Sequence, residues 1–383
     1  MLVRLTRVVR HPLTILTAVV CAAVGFGYRS AGEVGWGVVG ALVGLLLGLM
    51  SLQVGMLVGA VVLGARVHKV VLGIGTRVAD WTTARRAVVL RAVPVLMSVS
   101  VGPGKAPARK RMWGAALCSA VAALATVAVT ALSVSNGFTL GLAIACAAAV
   151  AHALVPRKLP GSTSTGWLVL NLPRMTGVQA QQLDAAPLVT ATVDAVQDGE
   201  LARASAMAAE LSDRYPALRT ATAARVLVLQ AQGRYAEALL QAMAIAGDTT
   251  QTPQEAAVSF AALAGLAYAT VESGQLAAEL GMDTADQALE NAETLGYPTH
   301  RLDGCRALRE LILGNPTKAI SLARYSADAC DDRLGRADDL ATLARAHMAA
   351  GDNTAARAAL AEAEQVVAWW PRVAETRSRL DIS

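Results

Sequence analysis

Two stretches without a single Asp, Glu, Lys or Arg constrain this chain more than any other feature: residues 34–65, 32 positions long, and residues 112–156, 45 positions long. A bilayer accommodates such text with one helix per roughly 20 apolar residues. The first stretch exceeds one span and is expected to enter as a long or tilted helix. The second is divided by Ser133-Val134-Ser135-Asn136-Gly137 into two helices, a transmembrane hairpin. A further apolar segment at about 12–28 follows Arg4, Arg7 and Arg10, and reads either as an uncleaved span or as a signal peptide. The apolar runs that come after it favour the span. Four spans are therefore expected, at about 12–28, 36–64, 113–133 and 137–155.

Charge then orients them. Residues 1–177 hold 17 Lys/Arg against only Glu33 and Asp80, whereas residues 178–383 hold 17 against 27 Asp/Glu. The basic residues of the first part cluster at the N-terminus, in the loop 66–111 and at Arg157, Lys158 and Arg174. The loops around Arg29 and Asn136 are nearly bare. With four spans all three clusters fall on one side, which predicts an integral membrane protein with both termini cytoplasmic, in the plasma membrane if the cell is prokaryotic. The overall basic balance therefore belongs to membrane-flanking loops, and no nucleic-acid partner is expected. Five cysteines stand singly at 21, 118, 146, 305 and 330, with no spacing for a disulfide framework or a metal knuckle.

The loop 66–111 has the β-branched content of short strands at 67–72, 87–92 and 95–101, punctuated by Gly73, Gly75, Pro94, Gly102, Pro103 and Gly104. Its basic end, Arg109-Lys110-Arg111, is suited to anionic lipid. Just before this loop, the charge-free helix carries Leu52-Gln53-Val54-Gly55-Met56 and leads through Leu63-Gly64 into Val70-Val71-Leu72-Gly73-Ile74-Gly75. This arrangement resembles the zinc-binding segment of site-2-protease-type intramembrane metallopeptidases. There a H-E-x-G-H pentapeptide lies in an apolar helix, and a short strand ending in G-x-G follows. The resemblance covers about 35–175.

It implies a small sheet at the membrane face that helps present substrate. It also puts Leu52 and Met56 at the two histidine places, Gln53 at the glutamate place, and Thr165, followed by Gly166, at the place of the third ligand. Ala153 stands where the family has an Asn. A zinc peptidase needs imidazoles at i and i+4 and a carboxylate base. Leu, Met and Thr do not supply that ligation, and a Gln amide takes no proton from water. The expectation is a non-catalytic relative with no metal or cofactor. Gln53 then needs a hydrogen-bond partner, either a neighbouring helix or a client backbone. His152, at the end of the last span, is the other candidate polar contact there.

After Met175 the text becomes Ala-rich, acidic and helical. A unit recurs in which Gly is followed five residues later by Ala: Gly199…Ala204, Gly233…Ala238, Gly314…Ala319 and Gly351…Ala356. An irregular fifth unit at Gly274 has Glu279 at the Ala place and 286–295 as its expected second helix. The Gly-to-Gly steps of 34, 41, 40 and 37 resemble tetratricopeptide repeats. That resemblance covers about 184–370, after a linker at 178–183 and before a tail at 371–383. It implies an α-solenoid whose groove binds a protein partner. Trp369-Trp370 reads as a partner-contact patch or as the cap on the last helix, and Arg372, Arg377 and Arg379 read as a solvated helix face.

The fold class expected is thus mainly α: a polytopic helical membrane domain with a small membrane-face sheet, then a cytosolic solenoid of helical hairpins. No phosphate loop, dinucleotide fingerprint or Ser/His/Asp set is present. Three functions follow: a pseudopeptidase that binds a membrane client and recruits a cytosolic protein, a membrane-anchored repeat scaffold without peptidase ancestry, or a metallopeptidase with atypical ligands.

Overall fold

The computed structural model describes residues 30–83, 86–159 and 162–382. The apolar segment at about 12–28 and the N-terminal arginines lie outside the described residues. The chain divides into two compact units, with the boundary between Pro187 and Leu188.

The first unit is built on helix α1, Ala31–Leu63, started by the Ser30 side chain accepting from Glu33 N and ended by Gly64 at φ 71°. Strands β1 (Arg66–Thr83) and β2 (Arg86–Gly102) follow, then α2 (Ala108–Leu132) and α3 (Gly137–Leu154), a small β3/β4 pair (Lys158–Leu159, Ser162–Thr163) and the short α4 (Thr165–Asn171). Helices α1, α2 and α3 are each long and apolar enough to cross a membrane. Their outward faces carry exposed apolar side chains, among them Leu42, Val58, Val61, Leu124 and Leu132. In water such a surface would be a severe liability; against lipid it is the expected one.

Glycine decides how these helices pack. A Cβ added at Gly40, Gly44 or Gly48 would run into the backbone of Phe138, Leu142 or Cys146, and one added at Gly141 would meet the backbone of Gly37. The two sets of numbers rise together, so α1 and α3 run parallel with their backbones in contact. Gly55 and Gly59 sit against Ser119 and Ala115 of α2; here one number falls as the other rises, so that pair is antiparallel. Lipid gives no hydrophobic drive between helices, so close backbone approach is what dispersion requires. At the α1/α3 end, Gly137 N donates to the Glu33 carboxylate at 2.6 Å, which satisfies one of the open N–H groups of α3.

The β-rich loop is larger than expected, with two strands of 18 and 17 residues where shorter ones were read. The strands bend, and this reconciles the two. Lys69–Leu72 of β1 lie opposite both Met97–Ser100 and Ala87–Leu90 of β2, so the outer half of the hairpin folds back beside the inner half. Gly73, at φ 98°, makes the bend. A Cβ there would lie 2.6 Å from the Val93 carbonyl oxygen.

The second unit is entirely helical among the described residues. Its helices are α5 (Gly177–Gln197, crossing the unit boundary), α6 (Leu201–Arg214), α7 (Arg219–Ala231), α8 (Tyr235–Ala246), α9 (Pro253–Glu272), α10 (Ala278–Thr294), α11 (Asp303–Ile312), α12 (Pro316–Ala329), α13 (Arg333–Ala349), α14 (Asn353–Val367) and α15 (Pro371–Ile382). From α6 onward most helices pack on the one before them. The recurring glycines 199, 233, 274, 314 and 351 all take φ between 72° and 81°, the left-handed helix terminus that glycine adopts without a Cβ clash. The alanines five residues later, Ala204, Ala238, Ala319 and Ala356, are each fully buried.

Three boundaries differ from the sequence reading. The segment 178–183 is no linker: it lies in α5, because nothing between Val178 and Asp184 breaks a helix. The irregular unit's second helix starts at Ala278 rather than 286, and its buried small residues are Gly281, Ala285, Ala288 and Ala292. The tail 371–383 is helix α15 through Ile382. Its Arg372 is fully buried, which corrects the reading of that arginine as solvated.

Asp339 on α13 gives this unit a pH dependence. Ser326 Oγ–H donates to its carboxylate at 2.7 Å. Burial, against the smaller effect of that hydrogen bond, pushes its pKa up to about 7. An unfolded Asp titrates near 3.9, so the native state holds more protons between about pH 4 and 7, and stability contributed at low pH is lost as pH rises through 7. The expected loss is on the order of 1–2 kcal/mol after allowing for screening. Asp339→Asn should flatten that slope in thermal melts of the purified chain at pH 5 and pH 8.

Candidate functional site

The pentapeptide lies where α1 crosses α2 and meets the sheet. Leu52 is 4% exposed and packs with Ala123 of α2 and Val150 of α3, with Val127, Ala153 and Leu154 around them. Ser119 Oγ–H donates to the Leu52 carbonyl at 2.7 Å, so a hydroxyl inside the bundle is satisfied by helix backbone. Gly55 completes the crossing: a Cβ there would stand 2.8 Å from Ser119 Cα and from Ala122 Cβ. Met56 is half-buried.

Gln53 finds a partner that neither sequence alternative named. Its Oε1 accepts from Val99 N of β2 at 2.9 Å, so it bonds to a strand of the β1/β2 hairpin and not to a neighbouring helix. Val99 is itself paired with Val70. Gln53 is half-buried, and this bond satisfies its carbonyl oxygen while tying β2 to α1.

Thr165 opens α4, whose N-terminus is capped by Ser164: its Oγ accepts from Trp167 N at 3.2 Å and donates to the Val155 carbonyl at 2.8 Å. A Cβ on the next residue, Gly166, would overlap the Leu154 carbonyl. Leu154 in turn packs in the cluster around Leu52. The Thr165–Gly166 start of α4 and Leu52 are therefore joined through one intermediate side chain, although 113 positions separate Thr165 from Leu52 in the chain. Trp113 Nε1–H donates to the Val169 carbonyl at 3.0 Å and holds α4 against α2.

His152 is exposed and lies outside this cluster. Among the described residues no three His, Cys, Asp or Glu side chains come together in a way that could hold a metal ion. Leu52, Met56 and Thr165 carry no side chain of the Cys, His or carboxylate kind that ligates zinc. What the arrangement offers chemically is an apolar plug, one amide aimed at a strand backbone, and a sheet edge beside it.

A second polar centre, missed in the sequence, lies in the helical unit. Arg372 of α15 and Arg345 of α13 are both buried and share Glu272, the last residue of α9. Arg372 Nε lies 3.4 Å and Arg379 Nη1 3.3 Å from the Glu272 carboxylate, and Arg345 Nη1 pairs with it directly. Arg372 Nη1 also reaches Asp338 at 2.6 Å, and Arg345 Nη2 reaches Glu375 at 2.9 Å. Burial works against the Glu272 anion, but the Arg372 and Arg345 guanidiniums outweigh it and hold its carboxyl below the usual range. Trp370 is buried and donates from Nε1 to Asp338 at 2.8 Å, so it is a packing residue and not a surface patch; Trp369 is half-buried, edge-on to it. The available sequence signal was Glu272 as the only acid in the apolar second half of α9.

No family model, curated protein or solved structure matches the chain.

Proposed function

We propose that the chain is a polytopic, non-catalytic membrane protein related to the site-2-protease type. Its membrane unit binds a client segment, and its helical unit, a tetratricopeptide-like array, recruits a cytosolic protein. Both termini lie in the cytoplasm, with the basic loops against anionic lipid. The observation that carries this reading is the Gln53–Val99 hydrogen bond. At the place where a peptidase would present its base to an extended substrate backbone, this chain presents an amide to the backbone of an extended strand. The Leu52 cluster beside it supports the loss of ligation while the frame is kept.

A photocrosslinker placed at Met97 or Met56 of the full chain in its native membrane tests this. Client adducts are expected at both positions, and Gln53→Ala should reduce their yield about 10-fold while the protein still folds and localises. An anchor without peptidase ancestry would show no adducts and no effect of Gln53→Ala. Stoichiometric zinc together with cleavage of a membrane substrate would sink the reading altogether.

A further inference from the structure

Helix α15 does not simply cap the last hairpin. Trp369, just before it, lies under the turn at Gly199, where an added Cβ would stand 2.8 Å from the indole nitrogen. Pro371 lies 3.5 Å from a Cβ placed at Gly233. Arg372 reaches Glu272 at the end of α9, and Arg372, Thr376 and Trp370 bond to α13 through Thr342, Arg345 and Asp338. One apolar cluster contains Val196 and Ala204 from the start of the unit together with Trp370, Val373 and Leu380 from its end. The segment 369–372 thus touches three consecutive turns, at Gly199, at Gly233 and at the end of α9, and lies along the body of α13.

The contacts are those of a ligand with a pattern. Arg372, Val373, Thr376, Arg379 and Leu380 follow one another at spacings of 1, 3, 3 and 1, a single helix face. The receiving side supplies Glu272, Asp338, Thr342 and Arg345. Removing α15 leaves two carboxylates and a guanidinium poorly paired in a confined space, which is strongly disfavoured. Exchanging α15 for another helix with arginine at the same place remakes the same pairs. The site therefore opposes being empty and selects what replaces α15. The fit in cis is also incomplete: Arg372 Nη2 and Tyr235 Oη are buried without a hydrogen-bond partner among the described residues.

We propose that α15 is an intramolecular ligand of the helical unit, and that the surface it covers, with Glu272, Asp338, Thr342 and Arg345, binds arginine-bearing amphipathic helices, which gain access by displacing it. This rests on the partner-binding reading only for the natural identity of the competitor. The face itself is tested with a synthetic peptide of residues 367–383, so failure of one does not imply failure of the other.

In the full chain in detergent, hydrogen exchange of the α15 amides is expected to be at least 10-fold faster than that of α13 and α14, and to accelerate further with excess peptide. The tether gives α15 a high effective concentration, on the order of millimolar, so labelled peptide should bind the wild-type chain weakly. Binding should be roughly 100-fold tighter to Arg372→Glu, whose own helix is repelled by Glu272 and Asp338. A peptide carrying the same change should bind neither. The proposal is overturned if α15 exchanges in step with α13 and α14 with or without peptide. It is equally overturned if a folded Arg372→Glu chain takes up no peptide, or takes up both peptides alike. Should that variant fail to fold, the wild-type exchange measurement decides alone.

Discussion

Replacing Gly44 by leucine is expected to leave the membrane unit unassembled, with the purified chain running as aggregate in detergent where the wild type is monodisperse. The Leu142 carbonyl of α3 occupies the space a Cβ would take, and the neighbouring contacts at Gly40 and Gly141 are just as close. No rotamer relieves such a clash, because the obstacle is backbone. Either the helices separate along their whole contact or the bundle does not form. Even Gly44→Ala should cost about 2–3 kcal/mol, the upper range for overpacking. Gly35→Ala on the same helix, where nothing lies within 4 Å, should be neutral or slightly stabilising through helix propensity. Size-exclusion profiles and thermal aggregation temperatures of the three variants, side by side, test the argument.

Glu272→Ala is expected to produce the largest loss in the helical unit, about 3–5 kcal/mol, because it leaves Arg345 and Arg372 buried together without the carboxylate between them. For a unit of this size that corresponds to a Tm lower by roughly 6–20 °C. Acid should reproduce part of the effect. The folded Glu272 carboxyl sits below its unfolded value, so its contribution is complete above about pH 4.5 and is lost as pH falls through the folded value. This is opposite in sign to Asp339, whose ionisation at higher pH is the unfavourable event. Glu272→Ala should therefore also make the melting profile less steep on the acid side while leaving the Asp339 slope in place.

Three of the four expected spans, the apolar helices α1 to α3, were legible because absence of charge is a property of contiguous sequence, and the glycine turns were legible because glycine adopts that φ without a Cβ clash. What was not legible shares a cause. Gln53 reads as an amide in search of a helix because its partner Val99 is 46 positions away on a strand whose bend no local pattern specifies. Arg372, in a run with Arg377 and Arg379, reads as solvated. Burial follows only once Glu272, 100 positions earlier, and Asp338, 34 earlier, converge on it. The role of Gly40, Gly44 and Gly48 was not read from the sequence, because the backbone of Phe138, Leu142 and Cys146 that approaches them lies about 100 positions further on, in α3. The linker expected at 178–183 was a compositional guess with no breaker behind it.

The apolar cluster around Leu52 also governs the order in which substitutions can accumulate. A histidine introduced at 52 alone would push an imidazole against Ala123 and Val150 with no carboxylate, thiolate or metal to meet it, at about 2–7 kcal/mol for an unanswered polar group in hydrocarbon. Changing Met56 or Thr165 first confers no ligand set either, since each needs the others. A first step at 52 therefore begins with a less stable protein, and a first step at 56 or 165 gains no ligation. Such a core can drift among aliphatic side chains, while position 52 resists every polar replacement.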